Sequence, residues 1–282
     1  MAKIITDTTS CLSPEYASAH QIIIIPQIIN FGNESYFEGI DIDIDAFMKK
    51  LLSSKELPKT AAPPPELFVE EFKKIVPSGE SILCIHPSSE VSGTVRSAIV
   101  AASDFPNADI RVIDTRTIAG PLATMVQLAA QWAEENLSAD EIVSRLNELI
   151  ARCRIYFLVE TLDYLAKGGR IGGASALLGS ILQIKPILAF RNGRVEPYEK
   201  ARTYRRAIER LIEIVCEQYP SSDMGYLTLM HAGVPQETQY LSDEFKNRLG
   251  ISAIPIYKMP PAIVVHGGPG VLGVGFFSAN AH

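Results

Sequence analysis

Short, unbroken apolar runs separated by longer amphipathic stretches make up the first half of the chain. Ile4–Thr6, Ile22–Ile29, Ile82–Ile85 and Ile110–Ile113 read as buried strands, the second interrupted at Pro26. Helical spacing of apolar positions predicts helices over Glu66–Val76 and Thr94–Ser103. Pro63-Pro64-Pro65 stands just ahead of the first, as suits a helix start. Alternation of this kind implies a parallel sheet covered by helices on both faces. Helices over Pro121–Glu135 and Ala139–Arg152 close this half, with Ser138 or Asn136 as the cap of the second.

The pattern changes after Arg154. Tyr156–Val159 reads as a strand, followed by a helix over Leu162–Lys167 that stops at Gly168-Gly169. Ala174–Gln183 reads as an apolar helix rich in small residues. Pro186–Arg191 and Val195–Lys200 flank Asn192-Gly193, a hairpin signal. A basic helix over Thr203–Tyr219, a strand over Gly225–Met230 and a helix near Gln236–Leu249 follow. Strands at Ala253–Lys258 and Ile263–Val265 complete a mixed sheet. The expected fold is therefore α/β with two domains. Residues 1–153 carry a parallel sheet flanked by helices, and residues 154–282 carry a mixed α/β sheet.

Composition narrows the setting. The chain has 282 residues, 47% of them apolar, enough for two cores of ordinary size. A formal net charge of −6 argues against general nucleic-acid binding. No secretory leader is legible at Met1-Ala2-Lys3-Ile4-Ile5, and no apolar run reaches the roughly 18–20 residues that span a bilayer. Cys11, Cys84, Cys153 and Cys216 are widely spaced and read as reduced thiols of a cytoplasmic protein. Charge is uneven. Ten basic residues (Lys167, Arg170, Lys185, Arg191, Arg194, Lys200, Arg202, Arg205, Arg206, Arg210) face three acidic ones between Leu165 and Arg210. That net +7 leaves −13 for the rest of the chain. A local basic face fits an anionic ligand or an acidic protein partner, or simply a solvated surface.

Ligands of open parallel sheets bind at the carboxyl ends of the strands. Four loops are placed there: Asp7-Thr8-Thr9-Ser10, Asn30-Phe31-Gly32-Asn33, the segment from Pro87 to Thr94, and Asp114-Thr115-Arg116-Thr117. They are rich in hydroxyls. Ser92-Gly93-Thr94 marks a strand-to-helix junction, where free N–H groups and a partial positive charge favour anions. Ser92 there either caps the helix or holds an anion. Thr60, in a loop before another helix start, is a similar hydroxyl. Gly268, Gly270 and Gly273 match a dinucleotide-loop pattern by letter, but no helix of useful length follows and no acidic residue comes about 20 positions on. These glycines read instead as places of close backbone approach. His266 follows an apolar run and reads as a structural residue or a ligand contact. Walker, zinc-protease and nucleophile-elbow motifs are absent, and the five histidines lack metal-ligand spacing. Asp41 and Asp43 lie in an Ile/Asp alternation that reads as a loop or edge.

These segments, in their order, resemble the DegV family, which includes the fatty-acid-binding subunit of bacterial fatty acid kinase. The resemblance rests on Ile5-Thr6-Asp7-Thr8-Thr9-Ser10, Gly39-Ile40-Asp41-Ile42, Lys59-Thr60-Ala61-Ala62-Pro63 and the segment from Ser88 to Thr94. It continues through the segment from Leu162 to Ile171, Ile184-Lys185-Pro186-Ile187-Leu188 and His266-Gly267-Gly268-Pro269-Gly270. It implies a non-enzymatic, bacterial lipid-binding protein with a long-chain fatty acid in a tunnel between two domains. No cofactor is implied. Thr60 and Ser92 match the positions that hold the carboxylate, with Ala61, Gly93 and His266 beside them. Arg170 and Arg202 match basic positions associated with the head group or with docking of an ATP-binding kinase subunit that forms the acyl phosphate. The family's Ser-Gln after the threonine is Ala61-Ala62 here, one hydroxyl fewer beside the head group. Ile24, Ile28, Leu178, Ile181 and Leu182 are candidate tail-lining positions. Two further classes stay open: a serine-type lipid ester hydrolase using Ser92 and His266, and a lipid-binding regulatory module with no kinase.

Overall fold

The computed structural model describes residues 1–179, 184–221 and 223–281. The chain forms two compact units: residues 1–150 with 260–262, and residues 151–259 with 263–282. In chain order the first unit holds β1 (Lys3–Asp7), α1 (Pro14–Ala19), β2 (Ile23–Ile25), β3 (Ile28–Phe31), β4 (Glu34–Phe37), α2 (Ile44–Ser53) and β5 (Lys59–Ala61). It continues with α3 (Pro65–Ile75), β6 (Ile82–His86), α4 (Thr94–Ala102), β7 (Ile110–Asp114), α5 (Ala119–Glu134) and α6 (Ala139–Arg152), whose last turn passes into the second unit. The second unit holds β8 (Cys153–Leu158), α7 (Asp163–Lys167), β9 (Lys185–Arg191), β10 (Arg194–Ala201), α8 (Tyr204–Gln218) and β11 (Thr228–His231). It ends with α9 (Pro235–Leu249), β12 (Ile256–Lys258), α10 (Pro261–Gly267), whose first two residues belong to the first unit, and β13 (Leu272–Phe277).

In the first unit β2-β1-β6-β7 make an all-parallel sheet, in register at Ile5↔Ile23, Ile5↔Cys84 and Cys84↔Val112. All five residues of β6 are buried, the signature of a strand covered on both faces. Phe68, Phe72 and Ile75 of α3 and Ala98 and Ala101 of α4 pack on Ile5, Ile25, Ile82 and Cys84. Helix α5 packs against β1 and β6 and is buried over most of its first two turns, which is why its sequence is apolar all round. Ser138 caps α6 reciprocally. Its hydroxyl accepts from the Glu141 amide at 3.3 Å, while the Glu141 carboxylate accepts from the Ser138 amide at 2.9 Å.

The apolar run Ile22–Ile29 is not one strand. Pro26 removes an amide donor, and the chain leaves the parallel sheet there. Its second part, β3, instead joins an antiparallel sheet ordered β4-β3-β5. Thr60, expected in a loop, lies on β5 opposite Ile29. The Ile/Asp alternation ends in a helix: the Asp43 carboxylate accepts from the Ala46 amide at 2.7 Å and starts α2.

The second unit is built on a six-stranded mixed sheet ordered β10-β9-β8-β13-β11-β12, with only β11 and β12 parallel. Leu211, Ile212 and Val215 of α8 and Leu241 and Phe245 of α9 cover Tyr156, Leu229, Val274 and Phe276. The hairpin β9–β10 turns at Asn192 (φ 50°) and Gly193 (φ 80°), both left-handed, as a tight primed turn requires.

Two expectations fail here. Ile263–Val265 is part of helix α10 rather than a strand. Pro261 supplies the first helical position, and burial at positions 261, 262, 264, 265 and 267 follows a helical period. β-Branching is thus overridden by packing. Leu272–Phe277, to which the apolar pattern assigned no element, is the fully buried strand β13 inside the sheet. Gly273 lets it come close to its neighbours, since a Cβ there would sit 3.2 Å from the Met230 methyl. The expected helix over Ala174–Gln183 is a 3-10 segment over Gly172–Leu177, and Ile181 and Leu182 lie outside the described residues.

Candidate functional site

The parallel strands of the first unit end in polar side chains. Asp7 closes β1, His86 closes β6, and both are fully buried. Asp7 is surrounded by donors. Oδ1 accepts from the Thr9 amide (3.0 Å), the Thr9 hydroxyl (2.6 Å) and Gln27 Nε2 (3.0 Å), while Oδ2 bonds His86 Nδ1 (2.8 Å). The Thr9 contacts start the 3-10 turn Thr8–Ser10. Gln27, just past Pro26, also donates from Nε2 to Thr94 Oγ1 at 2.9 Å. Thr94 Oγ1 lies 2.8 Å from Ser92 Oγ. His86 stands edge-on to the Phe68 ring at 5.3 Å, and its Nε2 is buried.

A second buried acid lies beside this group. Glu38 takes the Thr8 hydroxyl on Oε2 and the Ala262 amide on Oε1 (2.6 Å). Burial, opposed by those two hydrogen bonds, pushes its carboxyl up to about 7. The Cys11 thiol is driven well above its ordinary range by burial, with Glu38 and Asp7 adding to it.

Thr60 and Ser92, the carboxylate-holding positions implied by the resemblance, both lie in this unit, on segments that meet. Ser92 and Gly93 immediately precede α4, and a Cβ on Gly93 would lie 3.2 Å from Ala62 Cβ, so the loop abuts the chain leaving β5. Thr60, Ala61 and Ser92 are half-buried and Gly93 is exposed. The first-turn amides of α4 give this corner the anion preference of a helix start. The Ser92 hydroxyl is engaged by Thr94. Ile24 and Ile28 are half-buried, whereas Leu178 is 45% exposed.

His266 belongs to the second unit. Its imidazole packs on the Gly168 backbone: a Cβ at Gly168 would meet His266 Nδ1 at 2.2 Å. Burial, with the Arg170 charge adding to it, lowers the imidazole to about 4, so it is neutral at pH 7. Arg170 Nη1 donates to the Gly168 carbonyl at 2.8 Å. The glycines after His266 do permit close approach. Gly268 (φ +82°) has the Tyr164 ring 2.6 Å from a built Cβ, and Gly270 (φ +81°) has the Glu160 side chain at 2.5 Å. Arg202 is exposed at the end of β10. Among the described residues no cluster suited to a metal ion occurs, and no helix is long and apolar enough to cross a membrane.

Sequence reasoning missed Gln27, Glu38, Thr94 and His86 as partners of the site. His86 carried a signal: it follows a buried parallel strand, as Asp7 does, and neighbouring strands end side by side.

Glu38 and His266 set opposite pH dependences. The unfolded Glu38 binds its proton only below about 4.5, while the folded one keeps it to about 7. Its contribution is present in acid and is lost as pH rises through that window. His266 is reversed, unfolded near 6.5 and folded near 4, so its contribution is lost as pH falls. His266→Gln should remove on the order of 2 kcal/mol of acid destabilisation, after discounting for its partial exposure. Glu38→Gln should flatten the neutral limb. Urea denaturation of the three proteins between pH 4 and 8 checks both, and parallel curves would refute the assignment.

The whole fold has close counterparts. A family model described as "Uncharacterised protein, DegV family" matches residues 1–279. A DegV domain-containing protein of Streptomyces coelicolor is 37% identical over 96% of both chains. The crystal structure of DegV from Bacillus subtilis, described as a fatty acid binding protein, is 31% identical with a TM-score of 0.87, covering 98% of this chain and 99% of that one. A stearic-acid-binding protein of Eubacterium ventriosum is 26% identical with a TM-score of 0.89, covering 99% and 98%. With the α/β fold and a full-length family match in agreement, the chain belongs to the DegV family.

Proposed function

We propose that this chain binds a long-chain fatty acid, its carboxylate held by Thr60 and Ser92 with Ala61 and Gly93 alongside. The observation that carries the reading is the meeting of two hydroxyl-bearing segments at the start of α4, in a fold shared along its length with fatty-acid-binding proteins. Hydroxyls and helix-start amides orient a carboxylate by hydrogen bonds without a buried counter-charge. Affinity comes from the tail: about 0.8 kcal/mol per methylene over roughly 14 methylenes gives on the order of 11 kcal/mol before ordering costs. His266, neutral at pH 7, is a further head-group contact in this proposal.

The chain carries no nucleotide-phosphate loop, so we assign phosphoryl transfer to a separate ATP-binding kinase subunit that receives the presented carboxylate. Arg202, exposed, and Arg170 are the proposed docking residues. The four free cysteines suit a reducing, cytoplasmic setting.

Mass spectrometry of protein denatured after purification should release a fatty acid. Stearate titrated into delipidated protein should bind, and Ser92→Ala and Thr60→Val should each weaken it by about tenfold. Delipidated protein that takes up no fatty acid would end this reading. Arg202→Glu should spare lipid binding while reducing acyl phosphate formation with a cognate kinase.

A further inference from the structure

The buried polar chain behind Ser92 has a fixed direction. Asp7 accepts from four donors, so its carboxylate is used only as an acceptor. That sets the Gln27 amide, because a flipped amide would turn its oxygen toward the Asp7 oxygens. Gln27 Nε2 then spends its two N–H groups, one on Asp7 and one on Thr94 Oγ1. Thr94 Oγ1, already accepting, has its own proton to give, and Ser92 Oγ stands 2.8 Å away. Ser92 Oγ accepts that proton and, more weakly, the Thr94 amide at 3.3 Å. Ser92 is left with one O–H to donate outward. Asp7 and Thr94 are wholly buried and Gln27 is 3% exposed, so water does not compete for these bonds.

We infer that Thr94 and Gln27 are positioning residues that polarise the Ser92 hydroxyl as an obligate donor, so that the site selects a head group that accepts, a carboxylate, over one that must donate. The inference rests on the proposed carboxylate site at Ser92 and adds residues that do not touch the ligand. Thr94 lies in the first turn of α4, Gln27 between β2 and β3, and Asp7 at the end of β1, so the direction is set by three separate segments.

A double-mutant cycle with stearate as the probe tests it. Ser92→Ala should weaken binding by about tenfold and Thr94→Val by about fivefold. The double variant should be no weaker than Ser92→Ala alone, because the threonine acts only through the serine hydroxyl. Thr94→Ser, which keeps the hydroxyl, should restore wild-type affinity, a rescue a packing role for the methyl group would not give. Stearylamine should gain relative to stearate in Thr94→Val. If Thr94→Val does not fold, Gln27→Met takes its place in the cycle. Additive losses, or no loss from Thr94→Val, would overturn the relay while leaving the carboxylate site intact. A wild-type protein that binds no stearate would overturn both.

Discussion

Asp7→Ala should destabilise the first unit by about 3–5 kcal/mol, the largest loss expected of any single polar substitution in it. Four donors converge on this carboxylate, and its removal leaves buried N–H and O–H groups of Thr9, Gln27 and His86 without an acceptor. No water replaces it readily, since Asp7 and His86 are fully buried and Phe68 packs on the imidazole. The cost of stranding donors exceeds the net worth of the bonds themselves. Asp7→Asn, which keeps an acceptor but turns an amide toward one of the donors, should fall between wild type and alanine. The chain's one tryptophan, Trp132, lies on α5 and reports on this unit, so urea unfolding followed by its fluorescence is the measurement. A loss below about 1 kcal/mol would show that the cluster contributes little to folding.

Gly172→Ala should be nearly as damaging, at about 3 kcal/mol, and it acts on the second unit. Gly172 has φ +51°, a conformation in which any Cβ is disfavoured. The added carbon would also sit 2.1 Å from the Val195 carbonyl oxygen. That neighbour is the backbone of β10, which is tied to β9 along its length, so it cannot rotate away as a side chain would. Gly173 is an instructive contrast. A Cβ there meets the Glu196 carboxylate, the movable end of a flexible side chain, and Gly173→Ala should cost much less. Hydrogen exchange of the β9–β10 amides reads the effect locally, and equal protection in both variants would refute the distinction.

Much of the scaffold was legible because its signals are local. Four apolar runs predicted the parallel strands, although Pro26 divided one between two sheets, and Asn192-Gly193 marked a hairpin that the structure contains. Ser138 with Glu141 set the start of α6. The ordered segments from Ile5 to Gly270 supported the family resemblance, and they include Thr60, Ser92 and His266. Each of these rests on spacing of a few residues, where hydrophobic period and turn chemistry act directly.

The tertiary structure decided what lies between such segments. Asp7 and His86 are 79 positions apart and pair because β1 and β6 are neighbours in a parallel sheet, an order that apolar runs alone do not encode. Gln27 faces Thr94 because Pro26 turns the chain out of that sheet. Packing made a helix of the β-branched Ile263–Val265, reversing what propensity favoured, and set the glycine-bearing Leu272–Phe277 inside the sheet. The sequence by itself determined the α/β class, the family and the hydroxyl-rich loops at the strand ends. Only the folded chain decided which buried groups pair with one another there, because a hydrogen bond depends on positions that strand order, not sequence distance, brings together.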